Sequence, residues 1–300
     1  MISIIVSSVK DGMFEAFHRN VKETIGLPFE IIRIENKSGT VGICEAYNQG
    51  AAQAQFDLLG FVHEDVVFHT QDWGLILSNY FENDSRLGLL GVAGSKVKTR
   101  MISNWWLPVI GDNEPKRGRL FQHFRNSPPR ITEWWEGEGD IEEVVTLDGV
   151  LLFTRKKVWK ENPFDSELLK RFHAYDFDFS MQVGRHWKVC ATRAIQIEHF
   201  SQGSFDLEWV ICTLAAHEKW KDQLPKSVHP NIRLPQLGFF ERQLLNDCYA
   251  KLARLGVDWN IGGPLLYRAI ALVHEKGSFR GLTWRCRMAM SWIAGRLRRR

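Results

Sequence analysis

The first third of the chain alternates two hydrophobic periods, and this alternation limits the architectures open to it. Residues 2–7 are a short β-branched run, as a strand requires. Residues 12–25 then place Phe14, Phe17, Val21 and Ile25 at three- and four-residue steps, the spacing of one helix face. A second strand is expected over 30–35 and an alanine-rich crossover helix over 41–55. Residues 57–62 are apolar enough to be buried on both faces, as in a parallel sheet. A helical stretch over 71–81 and a strand over 87–93 continue the series. Strands separated by helical segments predict an α/β domain with a mostly parallel central sheet.

In such open sheets a ligand lies beyond the carboxyl ends of the strands. Here those positions hold Ser7-Ser8, Glu35-Asn36 and His63-Glu64-Asp65. No GxGxxG follows the first strand and no GxxxxGK[ST] occurs, which argues against a dinucleotide or P-loop nucleotide cradled by glycine-rich backbone. A phosphate bound here needs another counter-charge. Glu64 and Asp65 either begin a solvated loop or hold a divalent cation against phosphate oxygens.

Later segments add polar groups to the same region. Residues 143–155 are a long apolar stretch broken by Asp148-Gly149, which predicts a turn that sets a carboxylate between two buried strands. In residues 172–180, Asp176 and Asp178 alternate with aromatics just before a helical stretch ending at Gly184. Acids there can cap a helix N-terminus, form a hydrogen-bonded core pair, or do chemistry. Residues 195–204 read as a strand opening into a polar loop at His199, a histidine with a structural and a ligating reading.

The order of these pieces resembles glycosyltransferase family 2 with the GT-A fold. The resemblance rests on ISIIVSS, Glu35, AYNQG, LLGFVHEDV, TLDGVLLFTR, YDFD and EHFSQGS, and spans residues 1–204. The HEDV sequence is similar to the streptomycin-biosynthesis-type branch of that family. The resemblance implies a GT-A catalytic domain over 1–204, and the residue pattern beyond it reads as a helical C-terminal region over 205–300. It implies that Asp65 holds Mn²⁺ or Mg²⁺ on the diphosphate of a nucleotide-sugar of the UDP or GDP type. His199 would reach the metal or diphosphate, and Glu64 the sugar, the ribose or the metal's waters. Ser7, Glu35, Asn36 and Asn48 would line the nucleotide. Asp148 would face donor sugar and acceptor, Asp176 would be the general base, and Asp178 would cap or orient. Two positions depart from the pattern. His63 stands where many relatives carry a carboxylate, which predicts weaker metal binding, and Tyr175 replaces a glutamate.

Glycosyl transfer expels a dianionic leaving group, so a cation on its oxygens acts where charge develops. The incoming hydroxyl must also lose a proton, and a carboxylate engaged by metal is poorly placed to take it. The scheme therefore needs a second acid, which YDFD supplies. Displacement from the opposite face would invert the anomeric centre.

Residues 96–142 read as irregular and carry Trp105, Trp106, Trp134 and Trp135, whose indoles either bind an acceptor glycan or pin the loop. Beyond residue 205, helices are expected over 207–220, 239–255 and 264–276. Residues 276–300 contain eight Lys or Arg and no acid, leaving 31 basic against 35 acidic side chains before them. So localised a charge argues against nucleic-acid binding. Residues 281–300 form either a basic amphipathic helix on an anionic membrane or a terminal helix docked on the core.

The five cysteines are scattered without a CxxC pair, which suits a reducing compartment. The first residues lack a signal-peptide pattern and no apolar run is long enough to span a membrane. A cytoplasmic protein is expected, peripheral at the inner membrane face if 281–300 binds lipid, with a glycan, lipid-linked or small-molecule acceptor and a homo-oligomer open. A sugar nucleotidyltransferase and a catalytically silent nucleotide- or glycan-binding scaffold are the competing readings.

Overall fold

The computed structural model describes residues 1–124, 127–201 and 203–273. The basic segment 281–300 and the last residues of the helix expected at 264–276 lie outside the described residues. The chain opens with β1 (Ile2–Ser8), α1 (Asp11–Thr24), β2 (Phe29–Glu35), α2 (Ile43–Gln53) and β3 (Leu58–Val62). It continues through β4 (Val66–Phe68), α3 (Trp73–Asn83), β5 (Leu87–Gly91), β6 (Ala93–Ser95) and β7 (Val97–Lys98). The middle of the chain forms β8 (Lys116–Phe124), β9 (Ser127–Trp134), β10 (Ile141–Glu143), β11 (Thr146–Leu147) and β12 (Leu151–Arg155). Then come α4 (Lys156–Glu161), α5 (Tyr175–Val183), β13 (Lys188–Thr192) and β14 (Ile197–His199). The last described elements are α6 (Leu207–Trp220), β15 (Lys226–Ser227), α7 (Leu237–Arg254) and α8 (Trp259–Val273).

The expected α/β architecture is present, with a helical C-terminal region. A seven-stranded sheet has the order β10-β13-β5-β12-β3-β1-β2. β1 pairs in parallel with β2 and β3, and β13 with β5. β12 runs antiparallel to both neighbours, β3 and β5. Its start therefore lies at the same edge as the ends of β1 and β3, which is why Asp148-Gly149 and His63-Glu64-Asp65 meet. Period two in β1 divides the core: Ile2, Ile4 and Val6 join the cluster under α1 and α3, while Ile5 joins the cluster under α2 and α5.

The segment 96–142 departs from its irregular reading. β8 and β9 form a hairpin, and β8 joins β6 and β14 in a second sheet of order β11-β6-β8-β14-β4. Strand alternation was hidden in β8 because its buried residue Arg117 is charged; the guanidinium bonds Glu136 and Glu142 at 2.7 and 3.0 Å. The helix expected from Pro264 begins earlier, at Trp259, and carries Pro264 inside it. Helices α6, α7 and α8 bury Val210, Leu214, Leu245, Leu252 and Leu266 against one another. Among the described residues no helix is long and apolar enough to cross a membrane.

The seat of α2 on the sheet depends on Gly50, where an added Cβ would stand 2.3 Å from Ile5 Cγ2. Gly50→Val is expected to destabilise the fold by about 1–3 kcal/mol through overpacking, measured as a lower urea midpoint with unchanged slope.

Candidate functional site

At the carboxyl edge of the sheet, β3 delivers His63 and Asp65. β14 pairs antiparallel with β4 so that His199 lies opposite Val66, next to Asp65. His63 Nδ1 and His199 Nε2 lie 3.9 and 3.7 Å from Asp65 Oδ1, and the three ligand atoms fall within 4.8 Å of one another.

The surrounding hydrogen bonds fix both imidazole tautomers. The Tyr175 hydroxyl donates to the Gly149 carbonyl at 2.9 Å, so it accepts from His63 Nε2–H at 2.7 Å and leaves Nδ1 unprotonated. The Gln122 amide NH₂ donates to the carbonyls of His123 and Ser201 at 2.9 and 2.6 Å. Its oxygen is then turned to His199 Nδ1–H at 3.2 Å, and His199 Nε2 accepts from the Ser201 hydroxyl at 3.1 Å. Burial pushes both histidines below their ordinary range, His199 to about 4, with His63 adding to that effect. His63, Asp65 and His199 are grouped so that one atom of each could hold a cation, His63 standing at the position where the family pattern has an acid. The His63 partner Tyr175 occupies the other departing position.

Glu64 points elsewhere. Its Oε1 accepts the backbone N–H groups of Val9 and Lys10 at 3.0 and 3.2 Å, while Oε2 is buried with no protein partner. Ser8 Oγ at the end of β1 is buried and unpartnered in the same way. Both atoms are enclosed by protein at the strand ends. Ser7 is partly buried in the same strand, opposite Ile34 of β2. Glu35 is exposed at the end of β2, 3.8 Å from Arg33.

Asn36 and Asn48 hold backbone. The Asn36 side chain exchanges two bonds with Val41, at 2.7 and 3.1 Å. Asn48 bonds Phe164 O, Phe164 N and the Trp159 indole at 2.8, 3.1 and 3.0 Å, tying α2 to the segment after α4.

A cavity of about 450 Å³ opens beside the histidine cluster, and both Asp148 and Asp176 line it. Asp148 Oδ1 accepts from Val150 N at 3.0 Å. Burial chiefly, then the charge of Asp176, pushes the Asp148 carboxyl up to about 7, against hydrogen bonds from Val150 and Trp105. Asp176 accepts from Gly149 N at 3.2 Å and from Phe177 N at 2.8 Å. Burial raises it too, opposed by the Phe177 amide and by Lys98. Only glycine fits at 149, where a Cβ would stand 2.2 Å from the Tyr175 hydroxyl.

Asp178 faces away, into the α5–α6 contact, where it accepts from Trp220 Nε1 at 2.7 Å, Gln182 Nε2 at 2.8 Å and Lys219 Nζ at 3.0 Å. Trp105, Trp106 and Trp134 line the cavity. Trp135 does not: its indole donates to Gly139 O at 2.7 Å and its ring carries Arg193. The cavity also crosses residue 205, since Phe205, Trp209 and Thr213 form part of its wall.

The sequence reading passed over Lys98. It is buried, donates to Ser103 O, Ser103 Oγ and Asn104 O at 2.9, 3.0 and 2.7 Å, and lies 4.6 Å above the Phe177 ring. It therefore braces the loop that carries Trp105 and Trp106. Burial pushes it down to about 7, with Asp176 pulling the other way. A lysine in a two-residue strand carries no sequence signal for such a role.

A family model described as "Glycosyltransferase like family" matches residues 3–223. The chain belongs to this glycosyltransferase-like family. No curated protein matches it. Among solved structures, the glycosyltransferase-like chain is similar in fold to GalNAc-T7, crystallised with UDP, GalNAc and Mn²⁺. That likeness has a TM-score of 0.51 at 11% identity and covers 74% of this chain and 48% of that one. It is also similar to S. aureus TarS, with a TM-score of 0.51 at 14% identity over 92% of this chain and 49% of that one. The chain thus spans about half the length of each.

The tautomer argument gives a direct test. Tyr175→Phe removes the acceptor that holds His63 Nε2–H but leaves the ring in place. It is expected to weaken Mn²⁺ binding by about 10- to 100-fold, read by electron paramagnetic resonance of free Mn²⁺. Unchanged affinity would mean that His63 is not oriented this way when the ion binds.

Proposed function

We propose that the chain transfers a sugar from a nucleoside-diphosphate sugar to a hydroxyl acceptor with the help of a bound divalent cation. The observation that carries this reading is the convergence of His63, Asp65 and His199 with Asp148 and Asp176 at one sheet edge, in a chain of this family. The likeness to the Mn²⁺- and UDP-bound GalNAc-T7 structure is in keeping with it.

His63, Asp65 and His199 would hold the ion. Two imidazoles and one carboxylate favour a transition ion such as Mn²⁺ over Mg²⁺. Such a cation, when bound, neutralises charge on the departing diphosphate. The nucleoside side is assigned to the ends of β1, β2 and β3, where Ser7, Glu35 and Glu64 lie.

Asp176 acts as general base. The acceptor oxygen attacks the anomeric carbon as the carbon–oxygen bond to diphosphate breaks, and the hydroxyl proton passes to the Asp176 carboxylate. Attack opposite the leaving group inverts that carbon. A base whose pKa is raised takes a proton more readily, so burial of Asp176 assists. Asp148, held by Val150 N and Trp105, sits where it contacts sugar hydroxyls. Asp178 positions α5 through its bonds to α6. Trp105, Trp106 and Trp134 offer flat faces to acceptor glycan.

The narrower kinship with the streptomycin-biosynthesis-type branch rests on His63-Glu64-Asp65-Val66 and belongs to this proposal. So does a cytoplasmic site of action, with residues 281–300 on an anionic membrane surface beside a lipid-linked acceptor, and the division of the chain into residues 1–204 and 205–300.

Asp65→Ala is expected to abolish metal-dependent donor binding. Asp176→Asn is expected to keep donor binding and lose turnover by about 10²- to 10⁴-fold. Release of nucleoside diphosphate with sugar on an acceptor supports the reading. Release of pyrophosphate would favour a nucleotidyltransferase, and binding without release a silent scaffold.

The acid limb of kcat/KM should also lie above the ordinary carboxylate range. Burial raises both Asp148, to about 7, and Asp176, so activity that needs the Asp176 carboxylate is lost as pH falls at a point above the ordinary carboxylate range. A limb near pH 4 would contradict the use of either group.

A further inference from the structure

We infer that a second cavity, next to the first, receives an apolar aglycone carried by the acceptor; this inference rests on the glycosyl-transfer reading. The second cavity has a volume of about 300 Å³ and shares Ser103, Asn104, Trp106, Phe205 and Trp209 with the wall of the catalytic cavity. A molecule reaching from one to the other passes between Trp106 and the start of α6.

Position decides to which reactant such a group is joined. Ser7, Glu35 and Glu64 lie at the ends of β1, β2 and β3, and no residue of those strand ends lines the second cavity. Its wall is built from the loop after β7, the start of α6 and one face of α7. It therefore adjoins the side of the catalytic cavity formed by the Trp105–Trp106 loop, not the side assigned to the nucleotide. A group seated there is attached to the acceptor.

The lining chemistry names the class of group. Trp106, Phe205, Trp209 and Phe240 present rings, and Leu244 and Cys248 add apolar surface. Lys251, also in the wall, lies with its ammonium 4.6 and 4.7 Å from the Phe205 and Trp209 ring centres. A volume at the small end of ligand sites suits one aromatic or alicyclic ring and excludes a second nucleotide. Rings with a large exposed apolar face gain most from a like partner. Ser103, Asn104, Gln243 and Asp247 add polar groups to the wall, so an apolar ring that carries a polar substituent is also accommodated.

The residues contributed by α7, from Phe240 to Lys251, also lie beyond the family match at 3–223. The matched region supplies the acids, the histidines and the Trp106 and Trp209 side of this wall, and α7 supplies the rest.

The test uses the full chain and matched methyl and phenyl β-glycosides of glucose, galactose and N-acetylglucosamine, with binding followed by saturation-transfer NMR and titration calorimetry. For the sugar that binds best, the phenyl glycoside is expected to bind about tenfold more tightly than the methyl one. Leu244→Trp, which fills the cavity, should bring that ratio close to one. Gln243→Trp covers the same space from an exposed position and serves if Leu244→Trp melts early. A ratio near one in the unaltered chain, a ratio that survives both substitutions, or binding of neither glycoside would overturn the inference. If the phenyl preference holds but no donor yields nucleoside diphosphate, the cavity stands and the transfer reading falls. If turnover occurs with equal use of both glycosides, only the cavity assignment fails.

Discussion

One phenolic hydroxyl joins the two halves of the site. Tyr175 donates to Gly149 O and accepts from His63 Nε2–H, so a single oxygen links the loop after β3, the turn before β12 and the first residue of α5. The next residue along the chain is Asp176, and the residue before Gly149 is Asp148. Displacing that hydroxyl would free the His63 ring and loosen both acids at once. The close fit at Gly149 is the steric counterpart of this bond. Packing the phenol against Tyr47 and Phe164 in the apolar core then makes its position a property of the fold and not of a mobile loop.

Charge balance follows from the same arrangement. Asp148 and Asp176 line one cavity together with Lys116 and Arg130, and buried Lys98 lies close enough to Asp176 to oppose its raised pKa. Its ammonium is occupied by three oxygens of the 103–104 loop. Carboxylates crowded in a partly dry space hold their protons more tightly, as Asp148 and Asp176 do, and a divalent cation relieves part of that repulsion. Burial keeps His63 and His199 toward the neutral form, so they add no charge beside Asp65.

The sequence carried the sheet and much of the acid set, because strands buried on both faces and the breaks between them leave strong local patterns. β1 to β3 and the Asp148-Gly149 break are of this kind. Tertiary partners decided what local pattern did not. Buried Arg117, satisfied by two acids, disguised β8 as polar loop. Asn36 is engaged by the nearby Val41 backbone, and Asn48 by the backbone of Phe164, 116 residues away, a partner that no local pattern announces. Asp176 and Asp178 look alike in YDFD, yet two steps along a helix turn them to different faces, one to the cavity and one to Trp220 and Lys219. His63 as a metal donor was the least legible feature, since its tautomer depends on a tyrosine 112 residues away.

The central claim is that His63, Asp65 and His199 form one cation site at the edge where a nucleoside diphosphate binds. Crystals grown with Mn²⁺ and UDP, with diffraction recorded on both sides of the manganese absorption edge, test it most directly. The account predicts one anomalous peak between His63 Nδ1, Asp65 and His199 Nε2, with diphosphate oxygens completing its coordination and the nucleoside over the ends of β1 to β3. A manganese peak elsewhere, or UDP bound with no ion among these three residues, would contradict it.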